Sequence, residues 1–262
     1  MPSRRDHLFD LIRPLRFRGK LKLLEMVTPP GGEVTARIFG NEMSLNISEY
    51  IQRRMYFGCY ERMETDQVAK FLRPEMTVVD AGANVGYYTA LAASRVGSSG
   101  RVFSLEPNPE PYRRLENTVR ANNLARVKTF AIGLSDEPGG LELFLRSDSN
   151  ASSCAVPDPH ARRFVVPVTT LDQFLDEHSI KVVDLLKLDV MGHETKVLKG
   201  ASKTLARGRI KAILCEFYVH WLRSQGSSTE ELWRLLISAG FRTDAPFHPD
   251  EDYRHFMVLR DQ

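Results

Sequence analysis

The chain has 262 residues, of which 42% are hydrophobic and 26% charged, so it holds enough apolar material for one large domain or two small ones. A formal net charge of +3 is weak support for an acidic partner, and the three cysteines (Cys59, Cys154, Cys215) are too widely spaced to predict a zinc site or a disulfide framework. No apolar run approaches the ~20 residues that cross a bilayer. Because the basic start also lacks a signal peptide's apolar core, we expect a cytoplasmic protein.

The first 76 residues are predicted to form an N-terminal extension that packs on a main domain, residues 77–262. In chain order we expect helical pieces up to residue 28, a hairpin of segments 34–39 and 43–47, and helices over 48–54 and 61–72. The hairpin rests on apolar and polar residues that alternate on either side of Gly40. Ser48 would cap the helix that follows it. The basic first stretch is interpreted as a solvated amphipathic helix rather than an arm for nucleic acid or a membrane surface.

From Thr77 onward, short apolar runs alternate with helical segments. The expected strands are 77–79, 101–105, 127–132, 182–188 and 210–215, and the expected helices are 87–96, 109–122, 194–206 and 229–239. Strands that are apolar throughout are typical of a parallel sheet that is buried on both faces. The alternation therefore predicts a doubly wound α/β domain with helices on both faces of the sheet.

Two departures from this alternation are informative. Residues 134–175 form an insert that holds an expected hairpin of segments 141–145 and 163–168. The chain then closes with two short strands, 241–243 and 255–259, without a helix between them. Such a terminal antiparallel hairpin on a parallel sheet is not the usual end of a dehydrogenase domain.

The first strand runs into the glycine turn, by which we mean residues Asp80–Gly86. In an open parallel sheet, ligands bind beyond the carboxyl ends of the strands. Gly82 and Gly86 have no Cβ and leave the backbone open to a ligand, and Asn84 tolerates a left-handed conformation. The spacing is wrong for the dinucleotide motif G-x-G-x-x-G. The turn predicts a ligand site, with a tight connection that binds nothing as the alternative.

Glu106 ends the second strand, about 20 residues beyond the glycine turn, where an acidic side chain can accept hydrogen bonds from both ribose hydroxyls. The turn and Glu106 together are far more specific than either alone. Because no pyrophosphate cradle is present, they fit an adenosyl ligand without phosphates. The third strand leads into residues 133–136, which would line the adenine.

Titratable side chains crowd the end of the fourth strand, where Asp189, His193 and Glu194 follow an apolar run. Helix capping is the alternative explanation, but a site is favoured because the other strand ends already indicate a nucleoside. Glu216 ends the fifth strand, where an unpaired carboxylate is costly. Asp189 and Glu216 would be neighbours with oxygen ligands for Mg²⁺. Hydrogen bonds to Glu216 from backbone amides or from the ligand's amino group are the favoured alternative.

The motifs at the strand ends, with a few others, form a specific combination. They are Tyr56–Glu61, Asp80–Gly86, Glu106–Asn108, Leu134–Asp136, Thr170–Asp172, Leu186–Glu194 and Leu198–Ala201. Together they resemble the FkbM family of S-adenosylmethionine-dependent methyltransferases. The resemblance implies a class I methyltransferase, Rossmann-like α/β fold: a seven-stranded, mostly parallel sheet whose last strand is antiparallel, which agrees with the terminal hairpin. It also implies methylation of a hydroxyl, often that of a sugar or a polyketide-type natural product.

By position, the resemblance implies that the glycine turn surrounds the methionine part of S-adenosylmethionine and that Glu106 takes its ribose. The predicted cofactor-binding residues are Asp80, Gly82, Ala83, Asn84, Gly86, Glu106, Pro107, Leu134, Ser135 and Asp189. Met191 departs from the family, which commonly has Glu at this position. A divalent metal such as Mg²⁺ is therefore not favoured.

The sequence thus predicts an O-methyltransferase that acts on a small hydroxylated acceptor. The predicted catalytic residues are His193, Asp189 and Glu216. His193 is the first candidate for the base, because the ordinary pKa of histidine lies near neutrality, and Asp189 would orient His193 or the cofactor. The alternative is a metal that acidifies the hydroxyl. The polar loops 146–162 and 246–254 are expected over the acceptor site, or else are plain solvated loops.

Three other functions are weighed. A nucleic-acid methyltransferase would use the basic N-terminus, but no Asn/Asp-Pro-Pro-Tyr/Phe segment follows the fourth strand. A non-catalytic module that binds the cofactor or a partner protein would fit Met191. A nicotinamide dehydrogenase disagrees with the glycine spacing. We expect no nucleic-acid partner and no membrane span, and the sequence predicts no oligomeric state.

Overall fold

The computed structural model describes residues 19–28, 31–145, 152–153, 162–243, 245–248 and 253–260. Its strands are β1 (Glu33–Ile38), β2 (Asn41–Asn46), β3 (Thr77–Ala81), β4 (Arg101–Leu105), β5 (Val127–Phe130), β6 (Gly133–Ser135), β7 (Gly139–Leu145), β8 (Ser152–Ser153), β9 (Arg162–Thr170), β10 (Val183–Leu188), β11 (Ile210–Tyr218), β12 (Phe241–Arg242) and β13 (Tyr253–Arg260). Its helices are α1 (Lys20–Val27), α2 (Tyr50–Tyr56), α3 (Arg62–Phe71), α4 (Tyr87–Val96), α5 (Pro109–Ala121), α6 (Leu171–Glu177), α7 (Glu194–Lys199), α8 (Ser202–Ala206), α9 (Val219–Ser224) and α10 (Thr229–Ser238).

The main sheet has seven strands in the order β12-β13-β11-β10-β3-β4-β5. Neighbouring strands from β11 to β5 are parallel, whereas β13 runs antiparallel to both β11 and β12. The predicted α/β fold with a seven-stranded, mostly parallel sheet and an antiparallel last strand is confirmed. The carboxyl ends of β3, β4, β10 and β11 therefore meet at one edge of the sheet, where β13 begins.

Both faces of this sheet are buried, as its continuous apolar strands predict. Successive residues of a strand point to opposite faces. Val79 belongs to one apolar core, which includes Phe174 of α6. Its neighbour Val78 belongs to a second core, which includes Leu91 of α4 and Met43 of β2. The N-terminal hairpin thus shares a core with the main sheet.

The insert forms a second, four-stranded sheet in the order β6-β9-β7-β8. Its predicted hairpin is confirmed, because β7 and β9 pair antiparallel with Leu141 opposite Val166. The third strand of the main sheet ends at Phe130, earlier than predicted, since residues 133–135 turn away to pair with β9 as β6. The polar loop 146–162 lies almost wholly outside the described residues.

The N-terminal region contains the expected hairpin, in which β1 and β2 pair antiparallel. The helix predicted from Ser48 begins instead at Tyr50, and the proposed Ser48 cap is wrong. The Ser48 hydroxyl accepts a hydrogen bond from the Gly32 N–H at 3.0 Å, so it ties the hairpin's entry strand to the loop after β2. The basic stretch 1–18 lies outside the described residues. Within the described part of the chain, no helix is long and apolar enough to span a membrane.

Candidate active site

A cavity of about 770 Å³ opens beyond the carboxyl ends of the parallel strands. One side of it is formed by Gly82 and Asn84 of the glycine turn and by Glu106 and Pro107 after β4. The facing side is formed by segments far away in sequence: residues 50–64 around α2 and α3, the ends of β10 and β11, and the start of β13. We call the first side, which holds motifs that the sequence analysis assigned to the cofactor, the cofactor side, and the facing side, which the tertiary fold assembles, the acceptor side.

Gly82 is required where the turn crosses the end of β10. It adopts φ +76, and a Cβ at this position would lie 1.8 Å from the backbone oxygen of Asp189. The space that the missing Cβ leaves is thus occupied by the chain itself, rather than by a ligand as the sequence suggested. Asn84 adopts a left-handed φ of +50, as predicted. The turn is fixed by close packing between two strand ends.

Glu106 is anchored in the cavity wall by the backbone. Its Oε2 accepts the Asn84 N–H and its Oε1 accepts the Asn108 N–H, both at 2.8 Å. Burial raises the pKa of Glu106 to about 7, against the opposing effect of these two hydrogen bonds. Each carboxylate oxygen retains a second lone pair that can accept a hydroxyl proton. The two backbone bonds thus fix the orientation of the carboxylate, and its contact with a ribose stays a prediction.

Lys187 is one of the residues at this site to which the sequence analysis gave no role. Its Nζ donates to the Gly82 carbonyl at 2.8 Å and lies 3.0 Å from Asp189 Oδ2 and 3.8 Å from Asp80 Oδ1. Burial acts to lower the pKa of Lys187, but Asp189 and Asp80 outweigh it and raise that pKa. A lysine next to the carboxyl end of a fully buried strand was the available signal, since such a cation must be paired.

Asp80 lies behind the glycine turn rather than in the cavity wall. Its side chain is 1% exposed, and its Oδ2 accepts the Thr89 hydroxyl at 2.7 Å. Of the predicted cofactor residues, those that line the cavity are Gly82, Asn84, Glu106, Pro107 and Asp189, and those that do not are Asp80, Ala83, Gly86, Leu134 and Ser135. Contact of any of them with a cofactor stays a prediction.

His193 does not face the cavity. It is 1% exposed, and its Nε2 lies 3.0 Å from the Ser135 hydroxyl, to which it is hydrogen-bonded. Burial, together with Lys196, lowers the pKa of His193 to about 4. This placement disagrees with the predicted role of a base that meets the acceptor, because the ring is buried against Ser135 and does not line the cavity.

Glu194 shapes the loop between Asp189 and α7. Its Oε1 accepts the Val190 N–H at 2.9 Å and the Gly192 N–H at 3.2 Å. These bonds hold a turn in which Met191 adopts φ +53 and lines the cavity. Glu194, in the first turn of α7, therefore binds amides of the loop that precedes the helix, which accounts for its position.

Asp189 and Glu216 lie side by side, as predicted, because β10 and β11 pair in parallel. Burial, the neighbouring Asp189 charge and the Glu194 charge raise the pKa of Glu216. Burial opposes the ionisation of Asp189, but Lys187 outweighs it and lowers the Asp189 pKa. The cavity wall thus brings together two carboxyl groups whose pKa values are shifted in opposite directions.

Glu61 brings a third carboxyl group to the same wall. Its Oε2 accepts the Tyr88 hydroxyl at 2.7 Å, and burial raises its pKa against the effect of His255. The sequence analysis included Glu61 in a family motif but gave it no role. Nothing local marks it, because it reaches the site from the extension that precedes the first strand of the main sheet.

Aromatic side chains complete the acceptor side. Tyr218, Trp221 and Tyr253 all line the cavity. The Tyr218 ring lies 5.5 Å from that of Tyr253 and 6.0 Å from that of Trp221, centroid to centroid, in edge-to-face packing. The wall therefore offers both flat apolar surfaces and oxygen acceptors.

A family model for the methyltransferase FkbM domain matches residues 80–243. The chain belongs to this family. The matched range holds the glycine turn, Glu106, Asp189 and Glu216, and it ends at β12. As a member of the family, the chain is an S-adenosylmethionine-dependent methyltransferase with the class I fold, as the sequence predicted.

Individual relatives have low sequence identity to the chain, but some of their alignments cover most of it. The chain is 27% identical to 31-O-demethyl-FK506 methyltransferase FkbM of Streptomyces tacrolimicus, over 87% of this chain and 92% of that one. It is 26% identical to hexuronic acid methyltransferase AglP of Haloferax volcanii, over 66% of this chain and 67% of that one. A 26% match to the AMB antimetabolite synthetase AmbE of Pseudomonas aeruginosa covers 90% of this chain but 12% of that much longer protein.

Proposed function

We propose that this FkbM chain transfers the methyl group of S-adenosylmethionine to a hydroxyl oxygen of a small molecule of the sugar or polyketide class. The observation that carries the proposal is the position of Asp189, which lines the cavity and whose backbone contacts Gly82 of the glycine turn. The two relatives named for an FK506 derivative and for a hexuronic acid support an acceptor of this kind.

The residues of the cofactor side fit the donor. Glu106 presents two oriented carboxylate oxygens for the ribose hydroxyls, and the left-handed turn at Gly82 and Asn84 leaves backbone exposed in the cavity. When bound, S-adenosylmethionine supplies a methyl group on a positively charged sulfur. Asp189 and Lys187 hold the adjacent wall in place, because Lys187 binds both Asp189 and the Gly82 carbonyl.

The acceptor side fits a hydroxylated molecule. Tyr218, Trp221 and Tyr253 provide surfaces on which a sugar ring or a macrolide packs. The carboxylates of Asp189 and Glu61 accept hydrogen bonds from its hydroxyls and orient one oxygen toward the cofactor side. Asp189, rather than His193, is the group to which we assign the first contact with the reacting hydroxyl, because it faces the cavity while His193 does not.

The proposal is tested by incubating the full chain with S-adenosylmethionine and panels of hexuronic acid glycosides, neutral glycosides and macrolides, and by following the demethylated cofactor. Mass spectrometry of the acceptor then shows whether the new methyl group is on oxygen. Methylation of nitrogen or carbon, or cofactor binding without transfer to any hydroxylated acceptor, would overturn the proposal.

A further inference from the structure

A second cluster of groups lies at the acceptor wall and is not explained by methyl transfer alone. Glu61, Asp189 and His255 each present one ligand atom, and these atoms all lie within 4.8 Å of one another. They come from the loop before α3, the end of β10 and the start of β13. His255 sits opposite Glu216 in the β11–β13 register, so the antiparallel strand delivers it to the edge where the parallel strands end.

His255 is buried, and within the described part of the chain no residue forms a hydrogen bond to its ring. Its side chain is 1% exposed, and neither ring nitrogen has a hydrogen-bond partner among the residues that the structure describes. Nε2 lies 4.0 Å from Glu61 Oε2, and Nδ1 lies 4.0 Å from Glu64 Oε1. An imidazole enclosed in this way, between carboxylates and beyond hydrogen-bonding distance, calls for a further ligand.

The spacing suits an ion between these groups. Metal–nitrogen and metal–oxygen bonds of about 2.1 Å place two ligands of one ion roughly 3–4 Å apart, which is the separation of His255 Nε2 and Glu61 Oε2. The Tyr88 hydroxyl donates to Glu61 and Lys187 binds Asp189, so both carboxylates are held in orientation. The two acidic ligands, Glu61 and Asp189, also outnumber the one ammonium group beside them, that of Lys187, so a cation is favoured at this place.

We infer that Glu61, Asp189 and His255 bind a divalent transition-metal ion at the acceptor wall. One imidazole nitrogen with two carboxylate oxygens suits Mn²⁺, Fe²⁺, Co²⁺ or Zn²⁺ rather than Mg²⁺, which prefers oxygen ligands alone. This set differs from the predicted Asp189–Glu216 pair, because it takes its other two ligands from Glu61 and His255 and leaves out Glu216. Because Glu61 and Asp189 line the cavity, the ion would meet the acceptor hydroxyl and lower its pKa, a role that rests on the proposed function.

The test is a titration of the metal-free full chain with Co²⁺, followed by its visible absorption, and with Mn²⁺, followed by the loss of free-ion paramagnetic resonance. We expect one ion per chain that millimolar Mg²⁺ does not displace. His255→Gln and Glu61→Gln should each weaken the affinity at least about tenfold. His193→Gln is the matched control, a second buried histidine outside the cluster, and should leave the metal affinity unchanged.

Absence of one-to-one binding overturns the inference, and so does an unchanged affinity in both His255→Gln and Glu61→Gln. If His255→Gln fails to fold, Glu61→Gln at the cavity wall decides, with S-adenosylmethionine affinity as the check that its fold is intact. The readout requires no methyl transfer. Metal binding without methylation of any acceptor would keep the site and remove the proposed function, whereas methylation without metal binding would do the reverse.

Discussion

The cofactor side and the acceptor side of the cavity are built in different ways. On the cofactor side, the glycine turn and Glu106 follow consecutive strands, and their geometry is set by backbone hydrogen bonds and by contact with the end of β10. On the acceptor side, Glu61, Tyr218 and Tyr253 arrive from three separate segments and meet through side chains. Backbone geometry restricts the ligands that the cofactor side can bind. On the acceptor side, single side-chain substitutions can change which ligand is bound.

The largest expected effect is a loss of kcat on substitution of Asp189, and it tests to which side of the cavity this residue belongs. Asp189→Asn should lower kcat by about 10²–10⁴-fold, the range for loss of a group that takes part in proton transfer, with a change of only a few fold in S-adenosylmethionine affinity. Steady-state kinetics with calorimetric binding measure the two quantities. The control is Asp176→Asn, an aspartate paired with Arg209 on the surface. Equal losses in kcat and cofactor affinity would assign Asp189 to the cofactor side.

The next effect is on stability. Gly82→Ala should lower the free energy of unfolding by about 3 kcal/mol or more, because it adds backbone strain at φ +76 to a collision with the Asp189 carbonyl. Gly226→Ala is the matched control: Gly226 has φ +72 but open space around its Cβ, so about 1 kcal/mol is expected. Urea unfolding measures both. Similar losses in the two variants would show that the contact with Asp189 is unimportant.

A smaller effect concerns pH on the cofactor side. The pKa of Glu106 is about 7 in the folded chain, above its ordinary value of 4.5, so the stability it contributes is present below pH 4.5 and is lost as pH rises through about 7. Ribose hydroxyls bind the ionised form, so affinity runs the opposite way. The Kd for S-adenosylmethionine should rise about tenfold from pH 8 to pH 6, and Glu106→Gln should abolish this dependence. A flat profile in the unsubstituted protein would contradict the ribose role.

The smallest effect is expected at His193. His193→Gln can retain a hydrogen bond to Ser135, and it should change kcat by less than about tenfold, whereas loss of a general base costs about 10²–10⁴-fold. Kinetics at saturating acceptor decide the point. A loss comparable to that of Asp189→Asn would restore His193 as the base and overturn its placement behind the cavity.

The elements that sequence alone predicted are those encoded locally. The alternation from Thr77, the terminal hairpin and the position of Glu106 depend on patterns within short stretches, and the fold bears them out. The methyl donor, S-adenosylmethionine, could be predicted from the sequence for the same reason. Residues that are close in sequence there remain close in space.

Contacts between residues that are far apart in the sequence could not be predicted from the sequence. His193 looked catalytic beside Asp189, and only the fold shows its ring bonded to Ser135, 58 residues away. Glu61 and His255 are 194 positions apart in the sequence, and neither lies in a local sequence motif that would predict their contact. The Gly82 requirement was assigned to a ligand because the Asp189 carbonyl that fills its space lies on another strand.

The reversed direction of β13 has a further consequence for how such a protein can diversify. β13 begins at the edge of the sheet that carries the site, opposite the end of β11, while β12 pairs with the far end of β13, so the connection from β12 leads into the acceptor wall. Insertions there leave every parallel strand in place. Natural drift and laboratory libraries can therefore vary this connection to recruit new acceptors while the donor machinery is inherited intact.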